Sequence, residues 1–176
     1  MSDSHNLIEL ISESDISARV KKMGLEISSF YKDDSVVFVV ILNGAIIFAA
    51  DLIRTVNIEC KLDFVKVSSY KGTKSEGNIR FEKDLTLDIA GKNIIIVEDI
   101  IDTGNTIKYL KKHLKSKNPK SIRIASLLMK PDSSKLSSKI DWIGFEISSE
   151  FVVGYGLDYN QEFRNLSAIY KLGEAI

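Results

Sequence analysis

Three carboxylates, Glu98, Asp99 and Asp102, fall within five residues of one another, directly after the apolar run Asn93–Val97. Acids crowded onto a buried strand repel one another and lose their hydration, which costs stability. Such a cost persists where cations or hydroxyl groups meet the carboxylates. The chain then runs through Asp102-Thr103-Gly104-Asn105-Thr106, small residues that open a helix. Backbone N–H groups at such a start are exposed and partly positive, and they suit a phosphate. Carboxylates for sugar hydroxyls beside amides for a phosphate describe a ribose-phosphate site. The plainer alternative is a helix N-terminus whose acids only complement the dipole.

The elements around this segment alternate. Ile16, Val20, Met23, Ile27 and Phe30 recur at helical spacing, with Ser12 or Ser14 as the cap. Ser35–Leu42 is a β-branched run of strand length, apolar on both faces, followed by a turn and a short helix in NGAIIFAADLIRTV. Ile58–Tyr70 alternates at period two, with one slip. Asn93–Asp99 is a second continuous strand. TIKYLKKHLKSK is an amphipathic helix with Ile107, Leu110 and Leu114 on one side, and Pro119 lies beyond its end. Ser121–Met129 is a third buried strand. Strands apolar on both faces and separated by helices predict a doubly wound α/β fold with a mostly parallel sheet. Ligands in such sheets bind beyond the carboxyl ends of the strands, where the acidic segment lies. The polar stretch Tyr70–Arg80 reads equally as a surface loop or as a mobile lid.

A length of 176 residues predicts one domain, residues 1–176. Lys plus Arg equals Asp plus Glu, 24 each, so no generally basic face for nucleic acid or a membrane is expected. A single cysteine, Cys60, excludes an internal disulfide and a multi-cysteine metal site, and its apolar context predicts a small buried side chain. The acidic N-terminus is no signal peptide, and no apolar run approaches the roughly 20 residues that span a bilayer. A cytoplasmic protein is expected. Nucleotide motifs of the G-x-G-x-x-G and G-x-x-x-x-G-K-[ST] kinds are absent in the contexts they require.

IIIVEDIIDTGNTI, Ile94–Ile107, resembles the phosphoribosyl-pyrophosphate signature of the type I phosphoribosyltransferases, in the form found in the family's hypoxanthine-guanine members. LNGAIIFAADL, SSY, LLMKPD and FVVGYGLDYNQEFRNL follow the family's order, so the likeness covers about Ile16 to Lys171. It implies the family's fold, with a small hood formed by the chain termini. It also implies transfer of a phosphoribosyl group to a 6-oxopurine, hypoxanthine or guanine, with release of pyrophosphate. Glu98 and Asp99 would then hold ribose hydroxyls, while Thr103, Gly104, Asn105 and Thr106 hold the ribose phosphate. Asp102 matches the general base, and a carboxylate taken out of water on that turn would be the stronger for it. Lys130 matches the donor to the purine's exocyclic oxygen, although alone it reads as a strand-end lysine reaching water. Phe151 would stack on the base, Val152 and Asp158 would read its edge, and Asp158 would hold Mg²⁺. Glu98 and Asp99 would reach the metal through ribose hydroxyls or water.

Arg164 matches a pyrophosphate contact, and Leu42-Asn43-Gly44 matches the pyrophosphate loop, which in the family often contains a cis peptide. The chain departs there: Asn43 stands where Lys or Arg is common, so a cationic side chain is missing. Ser69 and Tyr70 match the pair that opens the family's flexible loop, which favours the lid. His113, flanked by lysines, matches nothing and is expected in solvent. The likeness also implies a homodimer or homotetramer. Two other readings remain: a non-catalytic regulator that senses the same ligands, and a transferase preferring xanthine.

Overall fold

The computed structural model describes residues 6–70, 78–130 and 139–173. In chain order its elements are β1 (Leu7–Ile11), α1 (Glu13–Tyr31), β2 (Val36–Leu42), α2 (Ile46–Ile53), β3 (Cys60–Tyr70), β4 (Asn78–Lys83), β5 (Asn93–Ile101), α3 (Asn105–Lys115), β6 (Ser121–Met129), β7 (Trp142–Glu146), β8 (Val152–Val153) and β9 (Ile169–Leu172).

Helix α1 starts where Ser12 caps it, its hydroxyl accepting from the Asp15 amide at 3.2 Å. Ile16, Val20, Met23 and Ile27 are buried as the spacing predicts. The last core position belongs to Tyr31 rather than Phe30, because the stripe ends on a step of four and not three. Phe30 is 52% exposed, with the Arg123 guanidinium 4.1 Å from its ring centroid and Trp142 edge-on at 5.8 Å.

The main sheet has the order β4-β3-β2-β5-β6-β7, parallel throughout except for the antiparallel edge strand β4. Strands β2 and β5 form its centre, with Val36 opposite Asn93 and Val40 opposite Val97. Successive residues feed opposite faces. Phe38, Val40, Ile95 and Val97 pack with α1 and α2, while Val37, Val39, Ile94 and Ile96 pack with Ile107, Leu110 and Leu114 of α3. This double covering is why these strands read as continuous apolar runs. A second, antiparallel sheet of order β1-β9-β8 joins the two ends of the chain, as the hood implied by the resemblance requires.

Long-range polar contacts fix the connections. Asp63 on β3 is 3% exposed and accepts from the amides of Phe64, Thr86 and Leu87 at 2.7–2.8 Å. Burial pushes its carboxyl up, but the amide bonds outweigh that and hold it below the usual aspartate range. Arg19 on α1 donates to the carbonyls of Ile143 and Gly144 on the edge strand β7, its Nε lying 3.2 and 3.1 Å from them.

Two expectations fail. Cys60 is exposed, not buried: it opens β3, and burial on that strand starts only at Asp63. His113 is not a solvated side chain; its ring lies 4.3 Å from that of Phe81, and Nε2 meets Asp84 at 2.9 Å. The returning β4 and Asp84 lie over that side of α3. Among the described residues no helix is long and apolar enough to cross a membrane.

Candidate active site

The chain leaves β2 to build β3 on one side and later returns to build β5 on the other, so the strand order reverses between β2 and β5. A crevice opens at the carboxyl ends of the strands at such a point, and it is the default ligand site of the architecture. The two segments singled out in the sequence, 42–44 after β2 and 98–106 at and after β5, meet there. The Leu42–Asn43 peptide is cis. Gly44 lies so near the β5 acids that an added methyl group would run into Asp99 Oδ2 and sit 2.6 Å from its Cγ. With any larger residue there, the Asp99 side chain or the loop would have to move.

Gly104 takes a left-handed conformation, φ 73°, and starts α3 without a side-chain cap. No backbone carbonyl among the described residues takes the amides of Thr103 to Thr106, which is the ordinary state of a helix start. Residues 100–107 and Glu98 line a hollow of ≈ 110 Å³ there. Amides around a small hollow at a helix start suit one phosphate group.

The three acids divide. Glu98 is 6% exposed; burial and the neighbouring Asp99 push its carboxyl well above the ordinary glutamate range. Burial raises Asp99 too, while a hydrogen bond from Glu98, the Ile100 amide at 2.7 Å and Arg164 draw it back down. The two carboxyls titrate as a coupled pair, and burial raises both above their ordinary ranges. Asp102 differs from expectation. It stands beyond the end of β5 with its side chain 58% exposed, so the desolvation expected of it is not found. Its charged neighbour is Lys130, whose Nζ lies 3.9 Å from Asp102 Oδ2.

Lys130 follows β6, its amide bonded to the Ile101 carbonyl at 3.0 Å, and its side chain is only 16% exposed. The strand-end lysine is thus turned toward the acidic turn rather than out into water. Phe151 is 54% exposed and edge-on to Tyr159, centroids 5.9 Å apart, so a ring face is free for a flat ligand. Val152 is buried in β8, opposite Lys171. Asp158 accepts from Arg164 at 2.8 Å and from the Gln161 amide at 2.9 Å. Arg164 also donates to the Gly156 carbonyl at 2.7 Å. Asn43 is exposed. Ser69 and Tyr70 end β3 opposite Ile79 and Asn78, whereas residues 71–77 of the expected lid lie outside the described residues.

Among the described residues no three His, Cys, Asp or Glu side chains converge to chelate a metal. Mg²⁺, a hard ion, keeps several waters and takes one or two carboxylates plus substrate phosphates. Asp158, with Glu98 and Asp99, offers oxygen donors of that kind. A larger hollow of ≈ 510 Å³ between α1, α2 and residues 165–167 contains none of these acids. Sequence reasoning missed Gly156, where an added methyl group would strike the Gly44 carbonyl oxygen. The glycines flanking Tyr155 were the available signal.

A family model described as the phosphoribosyl transferase domain matches residues 12–160. The chain is 42% identical over 172 residues to the hypoxanthine phosphoribosyltransferase of Haemophilus influenzae, covering 96% of each. It is 44% identical over 168 residues to the hypoxanthine-guanine phosphoribosyltransferase of Bacillus subtilis, covering 95% of this chain and 93% of that one. A crystal structure of a hypoxanthine-guanine phosphoribosyltransferase from Bacillus anthracis superposes with a TM-score of 0.90 at 38% identity, covering 94% of this chain and 98% of that one.

Proposed function

The chain belongs to the phosphoribosyl transferase family, and on that premise we propose that it is a purine-salvage enzyme moving the phosphoribosyl group from phosphoribosyl pyrophosphate to a 6-oxopurine. The products are the nucleoside monophosphate of hypoxanthine or guanine, and pyrophosphate. One observation carries the reading: the buried Glu98 with half-buried Asp99 beside it, the uncapped α3 start and the inward-turned Lys130 gather at the reversal point of the sheet.

Each residue then has a task. The amides of Thr103, Gly104, Asn105 and Thr106, with the Thr hydroxyls, hold the ribose phosphate, and Glu98 and Asp99 hold the ribose hydroxyls. Their carboxyl oxygens accept from the two hydroxyls. Phe151 stacks on the purine, the backbone at Val152 and Asp158 reads its edge, and Lys130 donates to the exocyclic oxygen. The ammonium disfavours an exocyclic amine, which turns the site away from adenine. Breaking the sugar–pyrophosphate bond leaves positive charge on the sugar and negative charge on the leaving group. The amides at Asn43 and Gly44 and the Arg164 fork face that negative charge. Asp102 takes the proton from the purine ring nitrogen as it bonds to the anomeric carbon. Its exposure leaves it reachable by the incoming base, and the base itself displaces water from it. When bound, Mg²⁺ neutralises charge on the pyrophosphate, with Asp158 its direct or water-mediated ligand.

We further read the chain as one domain over residues 1–176, cytoplasmic, working as a homodimer or homotetramer without nucleic acid or membrane partners. Residues 70–80 act as the lid that keeps water from the sugar cation. The test is an assay of the purified protein with the donor, Mg²⁺ and each of hypoxanthine, guanine, xanthine and adenine. Turnover of the oxo bases, with kcat falling about 10²- to 10⁴-fold in Asp102→Asn, is the expected result. Tight donor binding with no product from any base would sink it.

A further inference from the structure

Three consecutive residues outside the roles given above hold left-handed backbone conformations: Gly154 at φ 97°, Tyr155 at φ 50° and Gly156 at φ 100°. Glycine adopts these freely. A tyrosine does so at a cost on the order of 1–3 kcal/mol, and such residues persist where their surroundings over-determine them. Two bonds hold Tyr155. Its amide donates to the Leu166 carbonyl at 2.8 Å, and its phenol donates to Asp51 Oδ2 at 2.5 Å. The ring is 6% exposed, and burial together with the adjoining Asp51 raises the phenol far above the tyrosine range, so it remains a proton donor.

The two partners belong to different halves of the site. Asp51 lies on α2, the helix that begins two residues after Gly44. Tyr155 precedes Gly156, whose Cα rests against the Gly44 carbonyl oxygen and whose own carbonyl accepts from Arg164. Arg164 in turn holds Asp158. The leaving-group loop and the base-holding segment thus touch at Gly44–Gly156, and the tie joins the residue before Gly156 to the helix that follows Gly44. Neither Tyr155 nor Asp51 lines the hollow at the acidic turn.

We propose that the Tyr155–Asp51 hydrogen bond is a positioning tie that sets the spacing between the pyrophosphate loop, residues 42–44, and the purine-holding segment, residues 151–158. It rests on the transferase reading above. A tie of this kind acts on the relative placement of two bound substrates. Its loss therefore falls on kcat and leaves each substrate's own contacts in place. A misplacement of about 1 Å between reacting groups costs roughly 10²-fold.

Turnover of hypoxanthine by the unaltered protein is measured first, because its absence would remove the transferase reading and not the tie. With that activity in hand, Tyr155→Phe keeps the ring and removes the donor. The expected result is a kcat lower by about 10- to 100-fold, with both KM values within about threefold of the unaltered protein. Asp51→Asn keeps an oxygen acceptor and retains most of kcat, while Asp51→Ala falls as far as Tyr155→Phe. The double variant Asp51→Ala/Tyr155→Phe falls no further than the worse single one, since both remove the same contact. A Tyr155→Phe kcat within about twofold of the unaltered protein, or losses that add in the double variant, would overturn the tie. Should Tyr155→Phe fail to fold, the Asp51 pair still decides: equal kcat for Asn and Ala at that position overturns it.

Discussion

Replacing Gly44 with alanine tests whether the two walls of the crevice are fitted to one another. The new methyl group would occupy the place of Asp99 Oδ2, lie 2.6 Å from Cγ and 3.5 Å from Cβ, so the Asp99 carboxylate must swing away or the loop must retreat. Swinging breaks the bond from the Ile100 amide and removes the polar neighbour of the buried Glu98 carboxyl. A lost hydrogen bond to a charged group is worth about 1.5–3 kcal/mol, and an orphaned buried polar group about 1–3 kcal/mol. The total of about 2.5–6 kcal/mol is a large share of the roughly 5–15 kcal/mol that holds a domain together. At about 2–4 °C per kcal/mol for a chain of this size, the melting midpoint should fall by roughly 5–25 °C. Activity should fall further than stability suggests. Retreat of the loop by about 1 Å would misplace the leaving group, so kcat/KM for the donor should drop about 100-fold or more. Steady-state kinetics with varied donor, beside a thermal melt, reads both quantities. Near-normal donor kcat/KM with a normal melt would refute the argument, because the methyl group would then have found room that the structure does not contain.

Lys130→Ala should raise KM for hypoxanthine about 10- to 100-fold, the equivalent of one charge-assisted hydrogen bond, and leave KM for the donor nearly unchanged. Equal effects on the two substrates would refute its placement against the base. Asp63→Ala should cost about 1–3 kcal/mol in denaturant unfolding, since it takes the acceptor from the amides of Phe64, Thr86 and Leu87. The native protein should show the matching pH dependence. Asp63 is held below its unfolded value, so its contribution is complete above about pH 4 and is lost as pH falls through the lower native value. Asp63→Asn should flatten that acid limb, and an unchanged limb would assign the acid sensitivity elsewhere.

Legibility in the sequence followed the range of the forces involved. Strands β2, β5 and β6 could be read because both faces of their central stretches are packed into the core, which made those stretches almost wholly apolar. The Ser12 cap and the Gly104 turn were local, so a few residues sufficed. Strand β1 was passed over as an acidic, polar N-terminus. Its partner β9 lies some 160 positions away, and only Ile11 of its five residues is buried. Asp63 and His113 escaped for the same reason, since their partners Thr86, Leu87 and Asp84 come from another strand connection. In the site, motif order located the acids and Lys130. It could not say that Glu98 is sealed in while Asp102 faces water, because that depends on where β5 outruns its cover. The left-handed run at 154–156 was invisible as geometry, though Gly-Tyr-Gly hinted at it.

The contact of Arg19 with the rim of the main sheet governs how copies of this chain can meet. A bare outer strand offers its backbone as a template, and an incoming strand can extend the sheet indefinitely. Here a guanidinium already occupies two carbonyl oxygens of β7, and the opposite rim, β4, bears Arg80, Glu82 and Lys83. Lateral stitching of sheets into a continuous ribbon is thereby discouraged at both margins.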